Sequence, residues 1–147
     1  MEHQDGSAHV SWIVELELMP GSLRTFLELT AEMVLSTMTE PGALIYERSI
    51  SGDETRVIVF ERYADAVAAV HHLESFASLF GPRFSELVIR RRFTVFGAVT
   101  DDLKERLAPM GATFAMYLAG FVRQAFPPGA DGPLQAPGKT ADEDHSP

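Results

Sequence analysis

Between residues 9 and 18 the chain alternates, with Val10, Trp12, Val14, Leu16 and Leu18 on one side and Ser11, Ile13, Glu15 and Glu17 on the other. A period of two marks a β-strand with one buried face. Pro20, Gly21 and Ser22 interrupt it. From Leu23 the apolar positions Phe26, Leu27, Met33, Val34 and Met38 recur at helical spacing, which predicts a helix of about four turns capped by Ser22. Glu40-Pro41-Gly42 ends that helix, and two runs rich in β-formers follow, residues 43–50 and 55–63, joined by Ser51-Gly52-Asp53-Glu54 as a tight hairpin. Asp65 is placed to cap a second helix with Ala66, Val67, Val70 and Leu73 inward. A further helical stretch carries Phe76, Leu79, Phe80, Phe84 and Leu87. Pro82 lacks the amide that would bond back to Ser78, so a break is expected at Gly81-Pro82. Residues 91–99 read as a fourth strand, and Thr100 or Asp101 caps a short third helix, residues 101–107, ended by Pro109 and Gly111. Residues 112–126 are expected to be extended.

The order β-α-β-β-α-β is that of a ferredoxin-like α+β fold, an antiparallel sheet with helices on one face. In this topology strand four runs antiparallel to strand one, which brings Glu15 and Glu17 close to Arg90, Arg91 and Arg92. The helix-free face carries too many large apolar residues for water contact. A second copy packed sheet to sheet, a homodimer, would cover it.

Composition narrows the function classes. In 147 residues Lys+Arg number 12 and Asp+Glu 21, a net charge of −9, which argues against nucleic acid or an anionic membrane as partner. There is no cysteine, so disulfides, thiolate metal sites and cysteine nucleophiles are excluded and a reducing, cytoplasmic setting fits. No uncharged stretch is as long as the roughly 20 residues that span a bilayer, and the acidic, alternating start does not read as a signal peptide. Residues 1–8 read as a flexible polar leader and residues 127–147, with five of the nine prolines, as a disordered tail. One domain, residues 9–126, remains between them, with a C-terminal extension from about 100.

Over residues 9–99 the chain resembles the antibiotic biosynthesis monooxygenase family of dimeric α+β barrels. The residues that carry the likeness are Glu40-Pro41-Gly42, Tyr46-Glu47-Arg48-Ser49, Glu61-Arg62-Tyr63 leading to Asp65, and His71 on the following helix. The resemblance implies oxidation of a phenolic, quinol-like or polyketide-like aromatic substrate by dioxygen as co-substrate, with no bound cofactor and no metal. It disfavours haem degradation, because Phe80 stands about where that branch of the superfamily has a histidine. Two other readings stand beside it, a non-oxidative cyclase or isomerase on the same scaffold and a non-catalytic dimer that binds a small ligand.

Candidate chemistry centres on His71, Tyr46 and Arg48. His71 and His72 lie about 100° apart on a helix. Following Val67 by four, His71 is expected to flank the apolar stripe and act as the base, with His72 nearer to solvent. A helix-edge histidine bonded to backbone or water is the plainer alternative. Tyr46 and Arg48 share one face of strand two, where they could hold developing negative charge, although Tyr46 could equally fill the interior. A turn at Gly52-Asp53 pairs residues whose numbers sum to 105, setting Glu47 opposite Ile58 and diagonal to Arg56 as a structural ion pair. Trp12, Arg62, Phe76 and Phe80 are candidate substrate contacts, Arg62 at the end of strand three where a pocket mouth or a simple sheet cap could lie. The Arg90–Arg92 run reads as structural, and the stripe Phe76, Phe80, Phe84 as core or as an aromatic wall.

Overall fold

Strand β1 (Val10–Leu18) has a partner on each side, and its alternation decides which face of the sheet is buried: Val10, Trp12, Val14, Leu16 and Leu18 are all buried, while Ile13 is exposed. The fold is that of a computed structural model, which describes residues 6–123. Residues 1–5 of the leader and the proline-rich tail from 127 lie outside the described residues, and Gly6–Ala8 forms a single 3-10 turn. The sheet order is β2-β3-β1-β4-β5, where β2 is Ala43–Ile50, β3 is Arg56–Tyr63, β4 is Val88–Gly97 and β5 is Thr113–Met116. Strands β3 and β4 both run antiparallel to β1, and β5 joins β4 in parallel at the edge. This is the expected ferredoxin-like arrangement, with part of the extension added as an edge strand.

Helices α1 (Leu23–Thr37), α2 (Ala66–Leu79), α3 (Gly81–Leu87) and α4 (Asp101–Leu107) pack with the buried sheet residues around one core. α1 faces inward through Phe26, Leu29, Met33 and Thr37, so Leu29 takes the place expected of Leu27, which is exposed. Ser22 stands at the N-cap of α1, but its hydroxyl donates to the carbonyls of Met19 and Leu87 rather than accepting from the helix. Pro82 separates α2 from α3 as expected, with Phe80 between them in a non-helical conformation. Thr100 caps α4, accepting from the Leu103 amide. Among the described residues no helix is long and apolar enough to cross a membrane.

The β2–β3 hairpin corrects the expected register. Asp53 Oδ1 accepts from the Ser51 hydroxyl, the Thr55 amide and the Thr55 hydroxyl, which closes a longer loop with Glu54 at φ +60°. Pairing is thereby moved by two residues: Glu47 faces Phe60 and Arg48 faces Val59. The expected Glu47–Arg56 ion pair does not form. Arg56 instead meets Glu15 at 3.3 Å and Glu17 at 4.0 Å across β1.

Candidate active site

Asp65 caps α2 by accepting from the Ala68 amide at 2.8 Å, but the helix turns a different face to the sheet from the one its valines suggest. Val67 is 79% exposed and His71 is exposed, whereas Ala69 and His72 are buried, His72 at 4%. The expected assignment of His71 to the interior is thus reversed. The cause is close approach by small side chains. A Cβ on Gly42 would come within 2.5 Å of the Ala68 Cβ, so the Glu40-Pro41-Gly42 turn lies directly on the helix there. Alanines at this contact set the helical phase, and His72, three residues after Ala69, falls on the inner stripe. Gly42→Ala is expected to push the turn off α2 and cost about 1–3 kcal/mol in chemical denaturation.

Seating the turn on α2 delivers Glu40 to His72. The imidazole lies between two carboxylates: Nδ1 is 3.0 Å from Glu40 Oε1, and Nε2 is 3.2 Å from Glu61 Oε1. Glu61 reaches the interior by strand alternation, sharing the inner face of β3 with Val57, Val59 and Tyr63. It also accepts from the Tyr63 hydroxyl at 2.6 Å and pairs with Arg48 at 3.5 Å. Arg48 in turn stacks its guanidinium 3.4 Å from the centre of the Tyr46 ring. Tyr46 pairs with Glu61 across β2 and β3, so both strands present this set to the same side.

These contacts decide the protonation states. Burial raises the carboxyl of Glu61, but the bond from His72 and the charges of Arg48 and His72 prevail and hold it below the usual carboxylate range. Burial would likewise favour neutral His72, and Glu61 and Glu40 together overcome it and raise the imidazole. His72 therefore keeps its proton to higher pH than a free imidazole, and as an imidazolium it donates from both nitrogens, an acid rather than a free base. Tyr46 is pushed up to about 12, first by burial and then by the Glu61 carboxylate, against the pull of Arg48. Its hydroxyl lies beside Thr37, is buried, and makes no hydrogen bond of good geometry. Tyr63, raised by burial and by Glu61, stays a neutral donor.

Trp12, Tyr46, Arg48 and Phe76 line one cavity with this cluster, between the sheet and α2. Three other candidates do not join them. His71 is on the outer side of α2. Arg62 lies on the opposite face of β3, donating to Ser11 Oγ at 2.9 Å beside a separate cavity of about 310 Å³ under residues 116–122. Phe80 is buried between α2 and α3 against Phe76, an aromatic prop behind the wall. The cavity encloses about 50 Å³, room for a few waters, since one needs roughly 10–15 Å³. An aromatic ring therefore enters only with movement of lining side chains such as Phe76 and Met110.

Glu40, Glu61, Tyr63, His72 and Arg90 are the residues that reading the sequence for function missed. Period-two alternation of residues 56–63 does place Glu61 among valines on a buried face, a signal of a functional or paired carboxylate. Arg90 enters the cavity because of a bulge: Glu15 faces Arg92 but Leu16 faces Arg90, leaving Arg91 unmatched and free to meet Glu17 at 2.6 Å. Of the expected Glu15/Glu17 pairing with this run, Glu17–Arg91 forms, Glu15 pairs with Arg56 instead, and Arg90 points inward. Among the described residues no group of three or more His, Asp or Glu is arranged to hold a metal. Glu40 and Glu61 sit on opposite ring nitrogens of His72, so their oxygens diverge.

A single ferredoxin-like sheet with an aromatic, acid–imidazole cavity beneath its helices defines a small α+β protein with a candidate site between the sheet and α2. The chain belongs to the antibiotic biosynthesis monooxygenase family, whose sequence signature matches residues 10–84. Among solved structures it is similar to MupZ from Pseudomonas fluorescens, at 28% identity and a TM-score of 0.70 over 80% of this chain and 97% of that one. It is also similar to Rv0793 from Mycobacterium tuberculosis, at 25% identity and a TM-score of 0.55, covering 63% of this chain and 97% of that one. SnoaB from Streptomyces nogalater, described as a cofactor-independent oxygenase, shares the fold at 14% identity, with a TM-score of 0.54 over 63% of this chain and 95% of that one. No curated protein matches the chain.

Proposed function

We propose that the protein is a cofactor-independent monooxygenase that oxidises a small phenolic, quinol or polyketide-like aromatic substrate with dioxygen. The observation that carries this reading is the cavity itself, in a member of this family: an aromatic wall of Trp12, Phe76 and Phe93 meets the donors Arg48 and His72, which Glu40 and Glu61 hold in place. Such a site suits an aromatic substrate on whose oxygen negative charge develops. The substrate loses a proton to a carboxylate of the Glu40–His72–Glu61 set, His72 keeping its own proton, and the substrate anion passes one electron to dioxygen. Radical pair recombination gives a hydroperoxide at carbon. Its O–O bond breaks as the remaining C–H of that carbon gives up its proton to the carboxylate set and its electron pair to the new C=O. The distal oxygen takes a proton from His72 and leaves as water, so a ring CH₂ and O₂ become C=O and H₂O. Tyr46 and Arg48 stabilise the negative charge that develops on oxygen. The fold shared with SnoaB, a cofactor-independent oxygenase, is consistent with this chemistry.

The test is an oxygen electrode with a panel of anthrones and naphthohydroquinones. Uptake of one O₂ per product is expected; no uptake with any member overturns the reading. One observation favours a second reading, the non-oxidative cyclase or isomerase: a doubly paired imidazolium is a ready general acid and needs no oxygen. Product formation under argon at the aerobic rate would select it.

The same proposal includes a homodimer. Ile13 and Ile58 are each 42% exposed on the helix-free face of the sheet, where a partner sheet would bury them. Sedimentation at micromolar concentration is expected to give a dimer, with an interface of more than about 2,000 Å². A stable monomer would remove it.

A further inference from the structure

Arg90 is the charge in the cavity that the protein leaves unanswered. Glu61 compensates Arg48, and Glu40 and Glu61 compensate His72, but among the described residues no ion pair includes Arg90. The carboxylates on the neighbouring strand, Glu15 and Glu17, project from the other face and are held by Arg56 and Arg91. Without the bulge, Leu16 would face Arg91, and Arg90 would point away from the interior. The extra residue reverses this and aims Arg90 into the cavity, half-buried, over the Phe93 ring at 5.8 Å and beside Phe84 and Met110. Burial alone lowers its pKa, as expected of a guanidinium short of a counter-ion.

Its place relative to the reacting end is fixed by the sheet. Arg48, Val59, Val14 and Phe93 form one row across β2, β3, β1 and β4, and Arg90 lies beyond Phe93 toward the start of β4. Three strand spacings separate β2 from β4, roughly 14 Å, so Arg48 and Arg90 enter the cavity from opposite sides. A ligand touching both ends is at least the length of a ring with a short side arm.

We propose that Arg90 anchors a carboxylate of the substrate, so that the molecule is an aromatic acid whose carboxylate binds at β4 while its oxidisable ring lies against Tyr46 and His72. This rests on the reading of the cavity as the substrate site. A carboxylate is ionised at neutral pH and matches the guanidinium fork with two bonds, whereas a simple phenol is neutral there. A phosphate dianion would bring a second charge to a side of the cavity lined by Leu16, Phe84, Phe93 and Met110, with no further donor among them.

Binding of 3-phenylpropanoate, 3-phenylpropanamide and phenyl phosphate tests this by calorimetry, with emission from Trp12, the single tryptophan, as a second reporter in the cavity. The acid is expected to bind at least tenfold more tightly than the amide and the phosphate. Arg90→Met should abolish that preference by weakening the acid, and Arg90→Lys should keep part of it. Because it removes a cation with no carboxylate partner, Arg90→Met should fold at least as stably as the parent, which denaturation checks. Equal binding of acid and amide, tighter binding of the phosphate, no binding of the acid, or an unchanged preference in Arg90→Met would each overturn the proposal. The measurement involves no turnover. A protein that prefers the acid yet consumes no oxygen would keep Arg90 as anchor and lose the oxygenase reading, and the converse result would do the opposite.

Discussion

His72→Leu is expected to cost about 3–5 kcal/mol of folding stability, because it strands two buried carboxylates that now share one imidazolium. For a chain of this length that lowers Tm by roughly 10 °C. His71→Ala, one position away on the exposed side of α2, should change stability by less than about 0.5 kcal/mol. Adding Glu40→Gln to His72→Leu should recover part of the loss, since Glu40 is then no longer a stranded charge while Glu61 keeps Arg48 as its partner. Similar losses from the two single histidine variants would show that the cluster is not what holds this corner together.

The same cluster gives stability a pH profile with two limbs. His72 owes its raised proton affinity to carboxylates it meets only in the folded chain, so its contribution is complete below its ordinary 6.5 and fades as pH climbs through the raised folded value. Glu61 works in the other direction. Its contribution is complete above its ordinary 4.5 and fades as pH falls through the lowered folded value. Urea midpoints should therefore be highest between about 4.5 and 6.5 and lower on both sides, and His72→Leu should remove the alkaline limb.

Alternation along β1 and β3 was legible because a period of two admits only two phases, and one of them would have put Trp12 and Val14 in water. The helices were harder. α2 carries valines and alanines of similar pattern strength, and the phase was decided by Gly42, a residue 26 positions before Ala68, whose missing side chain lets the turn rest on the helix. Nothing local to 66–79 records that contact, so His71 and His72 exchanged places. Arg90 was hidden for a related reason: a bulge is an insertion relative to a partner strand, visible only once Leu16 and Glu15 are paired. Tyr46 and Arg48 were found because β2 is regular through 46–48, and a hairpin shifted by two residues leaves every side chain on its original face. The same shift did move Glu47 away from Arg56, since an ion pair depends on neighbours as well as faces.

Tyr46→Phe is expected to separate activity from stability. The hydroxyl is buried without a well-formed hydrogen bond, an arrangement that costs the folded protein the desolvation of a polar group and returns nothing to it. Removing one oxygen should leave the ring in place under the Arg48 guanidinium, and denaturation should show unchanged or slightly raised stability, by up to about 1 kcal/mol. Turnover should move the other way. Raised to about 12, the phenol remains a neutral donor near neutral pH, so its proton is available for negative charge developing on substrate or peroxide oxygen. Loss of one such donor lowers kcat by about 10² to 10³. The fall should appear in kcat more than in KM, because the bond strengthens as charge develops, and oxygen uptake by a substrate found in the quinol panel measures both. A gain in stability with kcat unchanged would mean that the hydroxyl never meets the reacting atoms, leaving Arg48 and His72 to hold the developing charge without it.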